Sequence, residues 1–201
     1  MLEAKEISYH YPNSPWLFRQ LNFHMKPGEI VGLYGKSGSG KSTMSQIIAG
    51  YQKPLQGEVL IDGQENIFKG PSPVQLIWQQ PEKAINPRWK MKKVLSEAGD
   101  IEPDIIQMLG IRKEWLSRFP SELSGGELQR FCIARALLPG TKYLIADEIT
   151  TMLDAINQAQ IWRIIFQLVK EKNIGVLAIS HDPELLNRIS DRIIDFEKLR
   201  K

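Results

Sequence analysis

The segment Gly35-Lys36-Ser37-Gly38-Ser39-Gly40-Lys41-Ser42-Thr43 constrains this chain more than any other, because it follows directly on the apolar run Ile-Val-Gly-Leu-Tyr at residues 30–34. That run lacks polar alternation, so it reads as a buried strand of a parallel sheet covered on both faces. Residues 41–49 read as a helix that Gly50 ends. A strand, the spacing Gly35-x-x-x-x-Gly40-Lys41-Ser42 and a helix N-terminus together make a phosphate-binding loop. The glycines let the backbone wrap closely around phosphate oxygens with its N–H groups pointing inward, and the helix dipole adds positive potential. Lys41 is placed to reach the β- and γ-phosphates, and Ser42 to offer its hydroxyl to Mg²⁺. The rival dinucleotide fingerprint fails, because Thr43 stands where its third glycine belongs.

A phosphate loop establishes nucleoside triphosphate binding and leaves the class open. Two further strand ends narrow it. Residues 143–146 are apolar and run into Asp147 and Glu148, which delivers two carboxylates to the sheet edge where α/β folds bind ligands. Asp147 suits Mg²⁺, through water, and Glu148 suits polarisation of an attacking water. Residues 176–179 are likewise apolar and end in Ser180 and His181. A histidine there is placed to contact a γ-phosphate, while Asp182-Pro183 reads as an N-cap followed by proline at the first helical position.

The stretch Glu-Leu-Ser-Gly-Gly-Glu-Leu-Gln-Arg-Phe-Cys at residues 122–132 decides the class. Ser124 and Glu127 form a capping box, and Leu128, Phe131, Cys132 and Ala136 recur at helical spacing. Ser124, Gly125 and Gly126 therefore open a helix with bare N–H groups, a second anion site separate from the first. Two half-sites for one phosphate chain point to a dimer that sandwiches ATP.

Several totals bound the answer. A length of 201 residues suits one domain, or a core with a small insertion. No apolar run approaches the roughly 20 residues a membrane helix needs, and the first residues lack a secretory pattern. The single cysteine, Cys132, forms no internal disulfide, so a cytosolic protein is expected. A net charge of +3 does not argue for nucleic acid. Leu21, Phe23 and Met25 alternate as a half-buried antiparallel strand, as do Val59 and Ile61 before a turn at Asp62-Gly63. Residues 155–172 read as a helix that covers the sheet through Ile161, Ile165, Leu168 and Lys172.

These motifs, in this order, resemble the nucleotide-binding domain of ABC transporters over essentially the whole chain. The resemblance implies an α/β fold: a P-loop NTPase (RecA-like) core with an antiparallel β subdomain and an inserted α-helical signature subdomain. Residues 1–83 and 139–201 are then the core with its β subdomain, and residues 84–138 the helical part, within one ATPase domain. Residues 35–43 match Walker A, which assigns Gly35, Lys36, Ser37, Gly38, Ser39, Gly40, Lys41, Ser42 and Thr43 to the nucleotide. "LSGGE" matches the family signature with Glu127 where glutamine is commoner, and "YLIADE" matches Walker B with Glu148 as the catalytic base. His181 matches the switch histidine. "IWQQP" matches the Q-loop and makes Gln79 its functional glutamine, completing the Mg²⁺ shell with Ser42 and Asp147. Tyr11 sits where the family stacks an aromatic on adenine, with the alternative of a strand-end core aromatic. Asp154 keeps the D-loop aspartate.

Two departures stand out. Ile149 replaces the proline usual after Walker B, and Thr151 and Met152 replace the Ser-Ala of the D-loop, which would suit a subunit that pairs with a different partner. "INPRW" at residues 85–89 is similar to a stretch of the peptide and nickel importer subfamily. The implied protein is an ATP-hydrolysing motor subunit of an importer at the cytoplasmic face of the cell membrane. Its implied partners are a second ATPase subunit, identical or not, transmembrane permease subunits and an extracytoplasmic substrate-binding protein, with no nucleic acid. The basic run Arg88, Lys90, Lys92 and Lys93 reads as a solvated face, with lipid headgroups or an acidic permease surface as alternatives. No C-terminal regulatory extension is expected after the basic tail. The alternatives are a soluble ABC ATPase unconnected to transport, an exporter motor, and a weakly hydrolysing partner in a heterodimer.

Overall fold

The structure is a computed structural model that describes residues 1–65, 70–151 and 153–200. Its strands are β1 Leu2–Tyr9, β2 Phe18–Met25, β3 Ile30–Tyr34, β4 Gln56–Ile61, β5 Gln64–Glu65, β6 Val74–Ile77, β7 Tyr143–Asp147, β8 Gly175–Ser180 and β9 Arg192–Asp195. Its α-helices are α1 Lys41–Ile48, α2 Met91–Ala98, α3 Pro103–Met108, α4 Gly125–Ala136, α5 Ala155–Lys172, α6 Pro183–Ile189 and α7 Phe196–Leu199. Short 3₁₀ turns at Pro81–Lys83, Lys113–Ser117 and Pro120–Glu122 join the helices between β6 and β7.

Two sheets organise the chain. One is antiparallel, in the order β2-β1-β4-β5, and the other is parallel, in the order β6-β7-β8-β3-β9. The α/β expectation with a separate antiparallel sheet is met. The uninterrupted apolar runs seen in the sequence become the central strands of the parallel sheet, where both faces are covered. Strand β7 shows how. Tyr143 and Ile145 belong to a core shared with α1, the antiparallel sheet and Phe196 of α7. Leu144 and Ala146 belong to a second core shared with α2, α4, α5 and α6. Period-two alternation thus feeds two cores from one strand. Each fully buried aliphatic side chain is worth about 1.5–3 kcal/mol.

The parallel register sets the site. Tyr34 pairs with Ser180, and Ala146 pairs with both Ala178 and Ile77. The ends of β3, β6, β7 and β8 therefore reach one edge together, and the four loops that follow them are neighbours.

Two details differ from the sequence reading. Lys172 does not join the apolar side of α5; it is exposed and its amine lies 2.6 Å from Glu102. The covering stripe is Ile161, Trp162, Ile165, Leu168 and Val169, and a lysine in the last helical turn gains from the dipole as well as its ion pair. In β4, Leu60 is buried along with Val59 and Ile61, so the strand is covered on both faces rather than one.

Gly57 is held by geometry. Its φ is +80°, and a Cβ there would lie 2.3 Å from the Lys5 carbonyl oxygen, beside the bulge where β1 and β4 change register. Both the left-handed backbone and the backbone clash oppose any side chain. Gly57→Ala is expected to lower stability by about 1–3 kcal/mol, read as a lower urea midpoint. An unchanged midpoint would refute this account of the bulge.

Candidate nucleotide-hydrolysis site

The phosphate loop joins β3 to α1. Gly40 is the N-cap at φ +113°, and a Cβ there would press to 2.8 Å from Leu17. With no side chain capping the helix and no acidic residue in its first turn, the α1 N–H groups remain available to an anion. Ser39 Oγ is buried and makes no hydrogen bond. A buried hydroxyl without a partner is costly, and a phosphate oxygen would supply the missing one. Lys41 is almost fully buried, and its Nζ donates to the carbonyls of Gly35 at 2.8 Å and Lys36 at 2.7 Å. The ammonium is thus held inside the curl of the loop. These features fit a polyphosphate.

Beside the loop, the Ser42 side chain is close enough to Asp147, at the end of β7, to influence its ionisation. Burial pushes the Asp147 carboxyl above the usual carboxylate range; Ser42 opposes this, Glu148 adds to it, and Lys41 opposes it. A buried carboxylate and an alcohol suit a hard divalent cation that completes its shell with phosphate oxygens and water. Among the described residues, no cluster of three or more histidine, cysteine, aspartate or glutamate side chains could bind a metal by itself.

Glu148 occupies a strained position. Its φ of +51° is left-handed for a non-glycine residue. Its N–H donates to the Ile179 carbonyl at 3.1 Å, which ties the turn after β7 to β8. The carboxylate lies between two partners. Gln79 Nε2 donates to Oε2 at 2.9 Å, and His181 Nδ1 is 3.5 Å from Oε1. The exposed Tyr11 donates or accepts a 2.9 Å hydrogen bond with Thr43 Oγ1 and packs its ring edge-on against Tyr9. Tyr11 therefore stands next to the phosphate loop rather than inside the core.

The structure thus gathers Tyr11, residues 35–43, Gln79, Asp147, Glu148 and His181 at one edge. Ser124, Gly125, Gly126 and Asp154 stand apart and make no hydrogen bond to the phosphate loop among the described residues. Ser124 caps α4: its Oγ accepts from the Glu127 N–H at 3.3 Å, while Glu127 Oε2 accepts from the Ser124 N–H at 2.8 Å. A Cβ at Gly125 would meet nothing within 4 Å, so α4 is open at that residue, whereas a Cβ at Gly126 would lie 3.1 Å from Leu153. Asp154 caps α5 by accepting from the N–H groups of Ile156 and Asn157, bonds that hold its carboxyl below the usual range.

The departures resolve differently. Ile149 is buried in the core beneath the helices, a role proline fills less fully. Met152 lies outside the described residues. Sequence patterning does not single out Arg130, whose guanidinium reaches the Leu109 carbonyl at 2.7 Å, and Asn157 and Gln160 on α5. Nor does it single out Thr150, although Gln158 and Trp162, its partners, stand at i and i+4 on one helix.

The family model for the ABC transporter matches residues 18–151. The oligopeptide transport ATP-binding protein OppF of Bacillus subtilis is 34% identical, over 96% of this chain and 71% of that protein. The nickel import system ATP-binding protein NikE of Staphylococcus aureus (strain bovine RF122 / ET3-1) is 35% identical, over 96% of this chain and 85% of that one. Among solved structures, the dimeric post-hydrolysis ATP-binding cassette MJ0796 bound to ADP and Pi superposes with a TM-score of 0.82 at 26% identity, covering 97% of this chain and 94% of that one.

Proposed function

The chain belongs to the ABC transporter family, and from that premise we propose that it is the ATP-hydrolysing motor subunit of an importer for peptides, nickel or metal chelates. The observation that carries the hydrolytic role is the Glu148 carboxylate, suspended between Gln79 and His181 at the edge where the phosphate loop ends. The relatives named for oligopeptide and nickel import support the cargo class. Residues 1–83 and 139–201 form the catalytic core with its β subdomain in this reading, and residues 84–138 the helical subdomain.

Lys41 neutralises charge on the β- and γ-phosphates, and the α1 N–H groups with Gly35, Lys36, Ser37, Gly38, Ser39, Gly40 and Thr43 surround them. Tyr11 stacks on the base. Ser42, Asp147 and the Gln79 amide oxygen would hold Mg²⁺, which would supply charge neutralisation for the phosphates. Glu148 aligns the attacking water with the γ-phosphate and takes its proton. His181 stabilises charge that develops on the transferred group. A second subunit lays its Ser124, Gly125, Gly126 and Asp154 against the far side of the nucleotide. ATP then contacts both halves and favours the closed dimer, and hydrolysis removes that differential contact.

Permease subunits and an external binding protein complete the system. Among the described residues no helix is long and apolar enough to cross a membrane, and attachment at the cytoplasmic face runs through the permease. The test is recovery of tagged Glu148→Gln protein from its native membranes in mild detergent, with mass spectrometry of what accompanies it. Multi-span proteins are expected, and a second ATPase among them identifies a heterodimer. Recovery without any membrane protein favours the soluble ATPase instead.

A further inference from the structure

The turn that carries Glu148 has little packing behind it on one side. A hollow of about 180 Å³ is bordered by Glu148, Thr150, Trp162, His181 and Leu185. The turn itself is short. Thr151 donates to the Glu148 carbonyl from its N–H at 3.2 Å and its hydroxyl at 3.0 Å, and Leu153 N–H donates to the Thr150 carbonyl at 3.1 Å. A left-handed glutamate beside a void needs an external restraint, since nothing in its own φ preference keeps it there. Besides the Glu148 N–H bond to the Ile179 carbonyl, which ties the turn to β8, the restraint that ties it to α5 is Thr150. Its hydroxyl is buried and accepts from Gln158 Nε2 at 3.0 Å and from Trp162 Nε1 at 3.4 Å, both on α5.

We propose that Thr150 is a positioning residue for hydrolysis: through Gln158 and Trp162 it locks the turn after β7 to α5 and so fixes where the Glu148 carboxylate stands. This rests on Glu148 acting as the base. The same helix is capped by Asp154, so the clamp also sets the spacing between Glu148 and the α5 cap that the proposed function sets against a second subunit. Two donors converging on one hydroxyl hold direction as well as distance, which an apolar residue of similar shape lacks.

The test compares Thr150→Val and Thr150→Ser in the full chain, with ATP turnover at saturating Mg·ATP, KM for ATP and the thermal midpoint measured for each. Displacing a catalytic group by about an ångström costs up to about a hundredfold in rate. Thr150→Val is expected to lower kcat by about ten- to a hundredfold. KM for ATP stays within about twofold, because the phosphate loop is untouched. Thr150→Ser, which keeps the acceptor, restores kcat to near the unmodified value. A kcat unchanged in Thr150→Val, an equal loss in both variants, or an effect confined to KM or to the thermal midpoint overturns the proposal. If Thr150→Val fails to fold, Gln158→Met removes one donor at similar volume and is expected to give a smaller loss of kcat alone; unchanged kcat there overturns the proposal as well. Absence of turnover in the unmodified chain overturns the ATPase reading and this inference with it, whereas turnover that ignores Thr150 overturns only the inference.

Discussion

Glu148→Gln is expected to abolish ATP turnover while leaving ATP binding intact. The substitution is close to isosteric. The glutamine carbonyl still accepts from Gln79, so the local contacts that frame the side chain survive. What disappears is the basic oxygen proposed to take a proton from the attacking water. General-base catalysis contributes about 10²–10⁴-fold, and turnover is expected to fall by at least that much. Nucleotide affinity is expected to change by less than about threefold, because in the proposed reading the β3–α1 loop grips the phosphates. Paired measurements of phosphate release and nucleotide binding decide the matter. In the same variant, ATP is expected to trap a species of twice the monomer mass on gel filtration, since the bridging phosphate is no longer removed. Turnover at the level of the unmodified chain would refute the role given to Glu148.

Lys41→Ala is expected to fail earlier, at binding. Its ammonium now donates to two carbonyls of its own loop, so nucleotide exchanges those bonds for charged phosphate oxygens rather than finding a free amine. The net gain of a charged hydrogen bond is about 1.5–3 kcal/mol, which corresponds to a Kd about ten- to a hundredfold weaker in the variant. Isothermal titration with a non-hydrolysable ATP analogue checks it. An unchanged Kd would place the phosphates elsewhere. Together the two variants separate grip from chemistry: Glu148→Gln keeps the first, and Lys41→Ala loses both.

What the sequence made legible was local. The bounds of β3 and α5 follow from an apolar run and from apolar residues at helical spacing, and the Ser124–Glu127 capping box is readable from two residues three apart. The gathering of Lys41, Glu148 and His181 follows too, because apolar strands ending in functional groups deliver them to one edge of a parallel sheet. Contacts between distant residues were not legible. Arg130 bonds to groups 21–30 positions away, and the Thr150 hydroxyl meets side chains whose approach depends on how α5 packs. The direction of the Lys41 amine was hidden as well, since the motif names the residue and only the fold of the loop tells where its ammonium rests. Lys172 was misread because helical spacing alone does not weigh an ion pair to Glu102 across the surface.

Cys132 has a practical consequence. Its thiol is buried on α4 near the Pro81 carbonyl oxygen, at 3.7 Å, and burial pushes its pKa up to about 12. Thiol-alkylating dyes react with the thiolate, so this buried side chain is expected to label slowly at neutral pH, which a maleimide time course on the unmodified chain checks. If it does, the chain serves as a background for a single introduced cysteine. A cysteine introduced at Ile156, which is 73% exposed at the start of α5, would take up a maleimide fluorophore selectively. Energy transfer between two chains labelled there would then report, in real time, the opening and closing of the pair.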